Sequence, residues 1–153
     1  MSEIDCAELI ISIVALAGTI VNVIFYIILT KKYNDMVNTQ TLTAQGALET
    51  QVRASIHEAT RNMLDFALRV NNEPENEMVQ KAYFAAEEIY RNAYEDACAK
   101  YLDYKIDRDR FRKMYQREIQ TLVENVDLKE FYDTVSSPYA STVAVYREWF
   151  GQA

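Results

Sequence analysis

The stretch LIISIVALAGTIVNVIFYIIL, from Leu9 to Leu29, decides the architecture of this chain of 153 residues. It is 21 residues long and contains no charged side chain. A helix of that length extends for about 30 Å, which is the thickness of the hydrocarbon core of a bilayer. The sequence therefore predicts an N-terminal segment with a single transmembrane helix, residues 1–32, followed by a helical domain, residues 33–153.

The residues on either side of this span predict its orientation. Glu3, Asp5 and Glu8 precede it and no small-residue cleavage site follows it, which argues against a secretory signal peptide. Lys31 and Lys32 follow the span directly. Because positive charge is retained on the cytoplasmic side, we expect a single-pass protein of the inner (cytoplasmic) membrane with its C-terminal domain in the cytoplasm.

Small and polar side chains recur along one side of the span at spacings of three and four. They are Ser12, Ala15, Thr19, Asn22 and Tyr26. In lipid such a stripe favours contact with another helix or with water over contact with acyl chains. Two interpretations stay open: a lone span that tolerates one Asn, or a self-associating span whose polar stripe lines a pore.

The rest of the chain has the composition of an all-α domain, since the sequence contains only three Gly and two Pro. Apolar periodicity and capping signals predict a bundle of about four helices. The first runs from Val37 to Val70 and could continue directly from the span, since only Asn34 and Asp35 interrupt. The second opens at Pro74 with Asn72 or Glu73 as cap and reaches Tyr104, and the third is capped by Asp107 and reaches Asn125. After a turn from Asp127 to Val135, the fourth runs from Tyr139 to Phe150 and is capped by Ser137.

Each predicted helix has one apolar face that we expect to be buried. The predicted faces are Leu48, Val52, Ile56, Ala59, Met63, Phe66 and Val70 on the first helix, Val79, Ala82, Ala86, Ile89, Ala93 and Ala97 on the second, Phe111, Met114, Tyr115, Ile119 and Leu122 on the third, and Val143, Tyr146 and Phe150 on the fourth.

Several functional classes find no support in the residues. His57 is the only histidine and has no evident triad partner, and neither a nucleophile elbow nor a P-loop is present, so we do not expect an enzyme. Cys6 and Cys98 lie on opposite sides of the predicted membrane, and no metal-ligand spacing occurs, so neither a metal nor a cofactor is expected. A net charge of −7 argues against duplex nucleic acid as a ligand.

The first candidate binding site is the row Arg53, His57 and Arg61, which lies in the only net-positive segment, residues 31–70. A spacing of four puts the three side chains on one face of a helix, where two guanidinium groups and an imidazole could bind a phosphodiester. The alternative is that Glu49 pairs with Arg53 and Asp65 with Arg61, since these are also at the spacing of helical ion pairs.

A second candidate anion site lies in the run KIDRDRFRK, through Lys105, Arg108 and Arg112. This run stands at a predicted helix start, so a solvated junction is the alternative interpretation.

Tyrosines form a stripe on the second helix: Tyr83, Tyr90, Tyr94 and Tyr101. Their rings could stack with bases, or they could fill helix interfaces as amphipathic side chains.

Three segments resemble a known family. They are VNVIFYIILTKKYND (21–35), RASIHEATRNMLDFAL (53–68) and NAYEDACAKYLDYKIDRDRFRKMYQRE (92–118). With the acidic N-terminus and the single span, they resemble the small transmembrane effectors of type III CRISPR antiviral defence whose cytosolic domain binds cyclic tetra-adenylate. The resemblance implies a homotetramer in which a cyclic oligoadenylate binds the cytosolic domain and perturbs the spans, opening a pore or disrupting the membrane. The alternative function is a membrane anchor or scaffold that recruits a protein partner through the tyrosine-rich helix.

Overall fold

A computed structural model describes the backbone of residues 3–132 and 137–151, and the side chains of residues 11–132 and 137–151. Every regular element in these ranges is helical, which confirms the all-α class. The elements are α1 Glu3–Asn72, α2 Glu77–Leu102, α3 Arg108–Glu124, a 3₁₀ turn Val126–Leu128, α4 Lys129–Tyr132 and α5 Ala140–Phe150. The end of the predicted turn, including Val135, lies outside the described residues, and its beginning folds as the 3₁₀ turn and α4.

The chain divides into two compact units, Met1–Thr43 and Ala44–Ala153. In the first unit α1 provides a helix that is long and apolar enough to cross a membrane, and its apolar side chains, such as Ile24 and Phe25, are exposed. The sequence allowed the helix predicted from Val37 to continue directly from the span, and α1 does continue through that position. No Gly or Pro stands between the span and this point, and Asn and Asp cost a helix only about 0.7 kcal/mol each relative to Ala.

The second unit has its own hydrophobic core, to which all the longer helices contribute. The core residues are Val52, Ile56 and Ala59 from α1, Ala93, Tyr94, Ala97, Cys98 and Tyr101 from α2, Phe111, Ile119 and Leu122 from α3, Val143, Val145 and Trp149 from α5, and Ile106, Tyr132 and Tyr139 from the connections and α4. The predicted buried faces of α1 and α3 therefore meet at this core.

Three of the predicted core positions need correction. Ile89 of α2 is 50% exposed and Met114 of α3 is 38% exposed. On α5 the inward face is centred on Val145 and Trp149, whereas Tyr146 is only partly buried. The indole ring is the largest apolar group on α5, and its burial orients the helix.

The helix starts also differ in part from the predicted ones. Helix α2 begins after Asn76, whose side-chain oxygen accepts hydrogen bonds from the backbone N–H groups of Met78 (3.1 Å) and Val79 (3.4 Å). Asn72 cannot cap α2, because it is still the last residue of α1. The predicted cap of α3 is confirmed, since the Asp107 carboxylate accepts the backbone N–H of Arg110 at 2.8 Å.

The predicted cap of α5 is wrong. The helix begins at Ala140, and the hydroxyl of Ser137 accepts only the backbone N–H of Tyr139, at 3.0 Å, one residue before the helix. Tyr139 is the N-cap residue and makes no side-chain capping hydrogen bond. The first-turn amides are instead capped from another helix by the carboxylate of Glu95.

Candidate ligand-binding site

The basic row on α1 faces solvent in the second unit. Arg53, His57 and Arg61 are all exposed, while Val52 and Ile56 on the other side of the same helix are buried in the core. The helical spacing that buries one face of α1 therefore leaves the row available to a ligand or to another chain.

The expected ion pair between Glu49 and Arg53 does not form. The Glu49 carboxylate lies 3.2 Å from the guanidinium of Arg110 and accepts the backbone N–H of Asp107 at 2.9 Å. The Glu49 carboxylate thus joins α1 to the start of α3. These two contacts are more favourable than an ion pair with Arg53, because an ion pair at this helical spacing contributes only about 0.3–0.5 kcal/mol.

The two guanidinium groups of the row have no carboxylate partner in the described part of the chain. The nearest polar contact of Arg53 is the sulfur of Met114, 3.6 Å from Nη2. Arg61 makes no ion pair with Asp65, although the spacing would allow one. Both charges are therefore free of direct neutralisation, as an anion site requires.

Arg61 also borders a groove of about 670 Å³ between α1 and α2. Three carboxylates, those of Glu58, Asp65 and Asp96, line the same groove. Asp96 is bonded to Lys100, but Glu58 and Asp65 have no ion-pair partner among the described residues. Within one chain the Arg61 guanidinium therefore lies beside negative charge, which weakens the groove as an anion site on its own.

The second candidate site is engaged in contacts within the chain. Lys105 Nζ lies 2.7 Å from the Asp103 carboxylate, and Arg108 is bonded to the Glu148 carboxylate. The Arg108 guanidinium also lies between the rings of Tyr101 and Tyr104, at 4.3 and 4.7 Å from their centroids. Both side chains therefore have partners within the chain, and the Lys105 pair is exposed to solvent.

The third member of that site, Arg112, lies over the ring of Trp149 with its guanidinium carbon 5.9 Å from the centroid. It has no ion-pair partner within the described residues. Of the two candidate sites, the row on α1 is therefore the one whose guanidinium groups all lack a carboxylate partner within the described residues.

Half of the tyrosine stripe is buried. Tyr94 and Tyr101 are each 3% exposed, and the ring of Tyr94 packs edge-on against those of Tyr90 and Tyr115, with centroids 5.1 and 6.0 Å apart. Burial raises the pKa of Tyr94 well above its ordinary value. For these two residues the space-filling interpretation is confirmed, whereas Tyr83 and Tyr90 line a pocket.

The polar stripe of the first unit is exposed along α1 at Ser12, Thr19 and Asn22. The hydroxyl of Thr19 donates to the backbone oxygen of Ala15 at 2.9 Å, so it is satisfied within the helix. The Asn22 amide has no hydrogen-bond partner among the described residues. Asn22 is consequently the member of the stripe with most to gain from a second helix.

Two arginines that the sequence pattern did not single out, Arg91 and Arg117, line the same pocket as Tyr83 and Tyr90. Arg91 is only 7% exposed. The neighbouring sequence does not indicate that Arg91 is buried, because the rings that pack against it belong to residues about 40–50 positions later in the chain, Phe131 and Tyr139.

Comparison with protein-family models, with curated proteins and with solved structures finds no match to this chain. Among the described residues, no group of three or more His, Cys, Asp or Glu side chains is placed to hold a metal ion.

Proposed function

We propose that this protein is a membrane-anchored antiviral effector whose cytoplasmic domain binds a cyclic oligoadenylate, cyclic tetra-adenylate. Binding would perturb the transmembrane helices and open a pore or disrupt the inner membrane. One observation carries the proposal: Arg53, His57 and Arg61 form an exposed row whose two guanidinium groups have no carboxylate partner in the described structure. The ligand class comes from the resemblance to the type III CRISPR effectors.

The chemistry of the row suits a phosphodiester. A guanidinium donates two parallel hydrogen bonds to phosphate oxygens, and neighbouring guanidinium groups along a helix can serve the same anion. Cyclic tetra-adenylate repeats one phosphodiester around a ring, so a homotetramer that presents one row per copy would match its symmetry. The other copies of the tetramer would also bring guanidinium groups that offset the negative charge of the carboxylates beside Arg61.

No catalytic step is needed for such a function. A ligand shifts the arrangement of an assembly only as far as it binds one arrangement better than another. Phosphate contacts from several copies provide this difference in affinity, because all of them form only when the basic rows of the copies meet at one ligand.

Ligand binding is tested with the full chain in detergent micelles. We expect isothermal titration with cyclic tetra-adenylate to show saturable binding, and Arg61→Ala to weaken it at least tenfold, about 1.4 kcal/mol. Arg147→Ala removes an exposed guanidinium from α5 and serves as the matched control, with unchanged affinity expected. Absence of binding by the parent chain would refute the function, and unchanged affinity in Arg61→Ala would refute the site.

The output is tested separately, in liposomes that carry the full chain and an entrapped dye. We expect cyclic tetra-adenylate to release the dye and Asn22→Leu to reduce the release severalfold, because the Asn22 amide is then lost from contacts between spans. Thr19→Val is the control, since the Thr19 hydroxyl is already bonded within its own helix. Release by Asn22→Leu at the parental rate would show that the stripe is not part of the output.

The second candidate function is a membrane anchor that recruits a protein partner. Burial of Tyr94 and Tyr101 removes half of the tyrosine surface expected for this role. However, Met78 and Phe84 on α2 are 79% and 63% exposed and remain available to a partner. This function predicts no affinity for cyclic tetra-adenylate, so the same titration separates the two.

A further inference from the structure

A pocket of about 510 Å³ lies within the second unit, between α2, α3, the 3₁₀ turn and Met63 of α1. Its volume falls within the range of about 300–1,000 Å³ that is typical of small-molecule sites. Tyr83, Tyr90 and Arg91 form its α2 side, and Arg117 and Asn125 lie opposite them. The basic row of α1 is not among its lining residues, so the pocket is a separate feature of each copy.

Arg91 is a buried cation with incompletely satisfied donors. Its Nε donates to the hydroxyl of Tyr139 at 3.2 Å, and the guanidinium lies over the ring of Phe131, 4.3 Å from the centroid. Its only carboxylate partner in the described structure, Glu87, lies 3.9 Å from Nη1, which is too far for a hydrogen bond. The Nη groups thus make no hydrogen bond to the described protein. They are not among its enclosed unpartnered atoms, so they are open to the pocket and can donate to a ligand or to water there.

One enclosed side-chain polar atom in the described part of the second unit lacks a hydrogen-bond partner. The hydroxyl of Tyr132 is enclosed and has no hydrogen-bond partner among the described residues. Burial raises the pKa of Tyr132, while the nearby charge of Arg91 acts in the opposite direction. The Tyr132 hydroxyl does not line the pocket of Arg91, so it is not one of the groups that can bind a ligand there.

The other groups that line the pocket indicate which further features a ligand needs. The rings of Tyr83 and Tyr90 offer surfaces for a planar group. Burial and a hydrogen bond to Glu87 raise the pKa of Tyr83. Glu118 and Asp127, also in the lining, are acceptors for hydroxyl or amino groups. A matching ligand has one anionic end, a planar body and several hydrogen-bond donors.

We propose that this pocket binds a nucleoside monophosphate, with its phosphate on Arg91 and Arg117 and its base against Tyr83 and Tyr90. The ribose hydroxyls donate to the carboxylates of the lining. Inorganic phosphate would contact only the arginines. Its negative charge would then lie close to the carboxylates of Glu87, Glu118 and Asp127, with no hydroxyl group to donate to them. Specificity therefore comes from the sugar and the base, and the phosphate supplies the anchor.

The test titrates the full chain in detergent with adenosine 5′-monophosphate, uridine 5′-monophosphate and inorganic phosphate. We expect one nucleotide per chain, bound at least tenfold more tightly than inorganic phosphate. Arg117→Ala should weaken nucleotide binding at least tenfold, and Arg147→Ala should leave it unchanged. Both arginines are exposed, so neither replacement disturbs the core. Tyr83→Ala should weaken nucleotide binding several-fold without changing the affinity for phosphate.

Three results would overturn the proposal: no heat with either nucleotide at millimolar concentration, equal affinity in Arg117→Ala, or phosphate binding as tightly as the nucleotides. Arg61→Ala separates this site from the row on α1. We expect it to bind the monophosphate like the parent chain, and loss of that binding would place the nucleotide on the row instead. Failure of cyclic tetra-adenylate to bind would refute the proposed function and leave this pocket untouched.

Discussion

Trp149→Ala is expected to lower the free energy of unfolding of the second unit by about 4 kcal/mol, as removal of a buried aromatic side chain from a core does. The indole packs edge-on against the ring of Tyr101, with centroids 5.3 Å apart, and lies 6.0 Å from the ring of Phe111. Its Nε1 donates to the Tyr101 hydroxyl at 2.8 Å. Because a domain of this size is stable by only about 5–15 kcal/mol, we expect a marked shift of the urea midpoint of the full chain in detergent, followed by circular dichroism.

The control is Trp149→Phe, which keeps most of the ring area and loses the N–H group. It should cost clearly less than the alanine replacement, on the order of 1–2 kcal/mol, because the Tyr101 hydroxyl still has other partners, Arg108 and Glu148. Equal effects of the two replacements would mean that the hydrogen bond, and not the packing of the ring, holds α5 in place.

This residue also shows the limit of periodicity as a guide to α5. The pattern of Val143, Tyr146 and Phe150 predicts one inward face. Val143 is buried as predicted, but Tyr146 and Phe150 are only partly buried, and Val145 and Trp149 lie on a second apolar face that packs into the core. Periodicity identifies apolar faces, but it does not decide between two of them on a short helix. The decision is made by the partner of the indole, Tyr101, which belongs to a different helix.

The all-α class was predictable because it depends on local properties. Few helix breakers and long apolar periods are read directly from the chain, and so is the cap at Asp107, whose carboxylate bonds an amide three residues later. Exposure of Arg53 and Arg61 follows in the same way, since the buried face of the same helix is visible in the sequence. The partner of Glu49 was not predictable, because Arg110 lies on α3 and comes close only after folding.

The pocket beside Arg91 was even less predictable from the sequence than the partner of Glu49. A charged residue inside a helix with many charges reads as solvated, and its burial depends on Phe131 and Tyr139, which approach only in the folded domain. The tyrosine count was the one available signal. It pointed to α2 as an unusual helix, without separating Tyr83 and Tyr90 at the pocket from Tyr94 in the core.

The carboxylate of Glu95 is expected to be worth about 3 kcal/mol to the second unit, because it caps α5 from α2. Its two oxygens accept the backbone N–H groups of Ser141 and Thr142 and the hydroxyl of Thr142, all at 2.8 Å. Thr142 is fully buried, so Glu95→Ala leaves its hydroxyl without this acceptor. Hydrogen bonds to a charged group contribute about 1.5–3 kcal/mol each and are not additive, which sets the size of the expected loss.

Urea unfolding of the full chain in detergent measures this loss, with Glu88→Ala as the matched control. Glu88 is an exposed carboxylate on the same helix without an ion-pair partner among the described residues, so its removal should change stability by less than about 0.5 kcal/mol. Glu95→Gln keeps one acceptor oxygen and should fall between the parent and the alanine variant. If Glu95→Ala proved no more destabilising than Glu88→Ala, the first turn of α5 would not depend on α2. The cap would then have to be sought within residues 137–140, where Ser137 is the available hydroxyl.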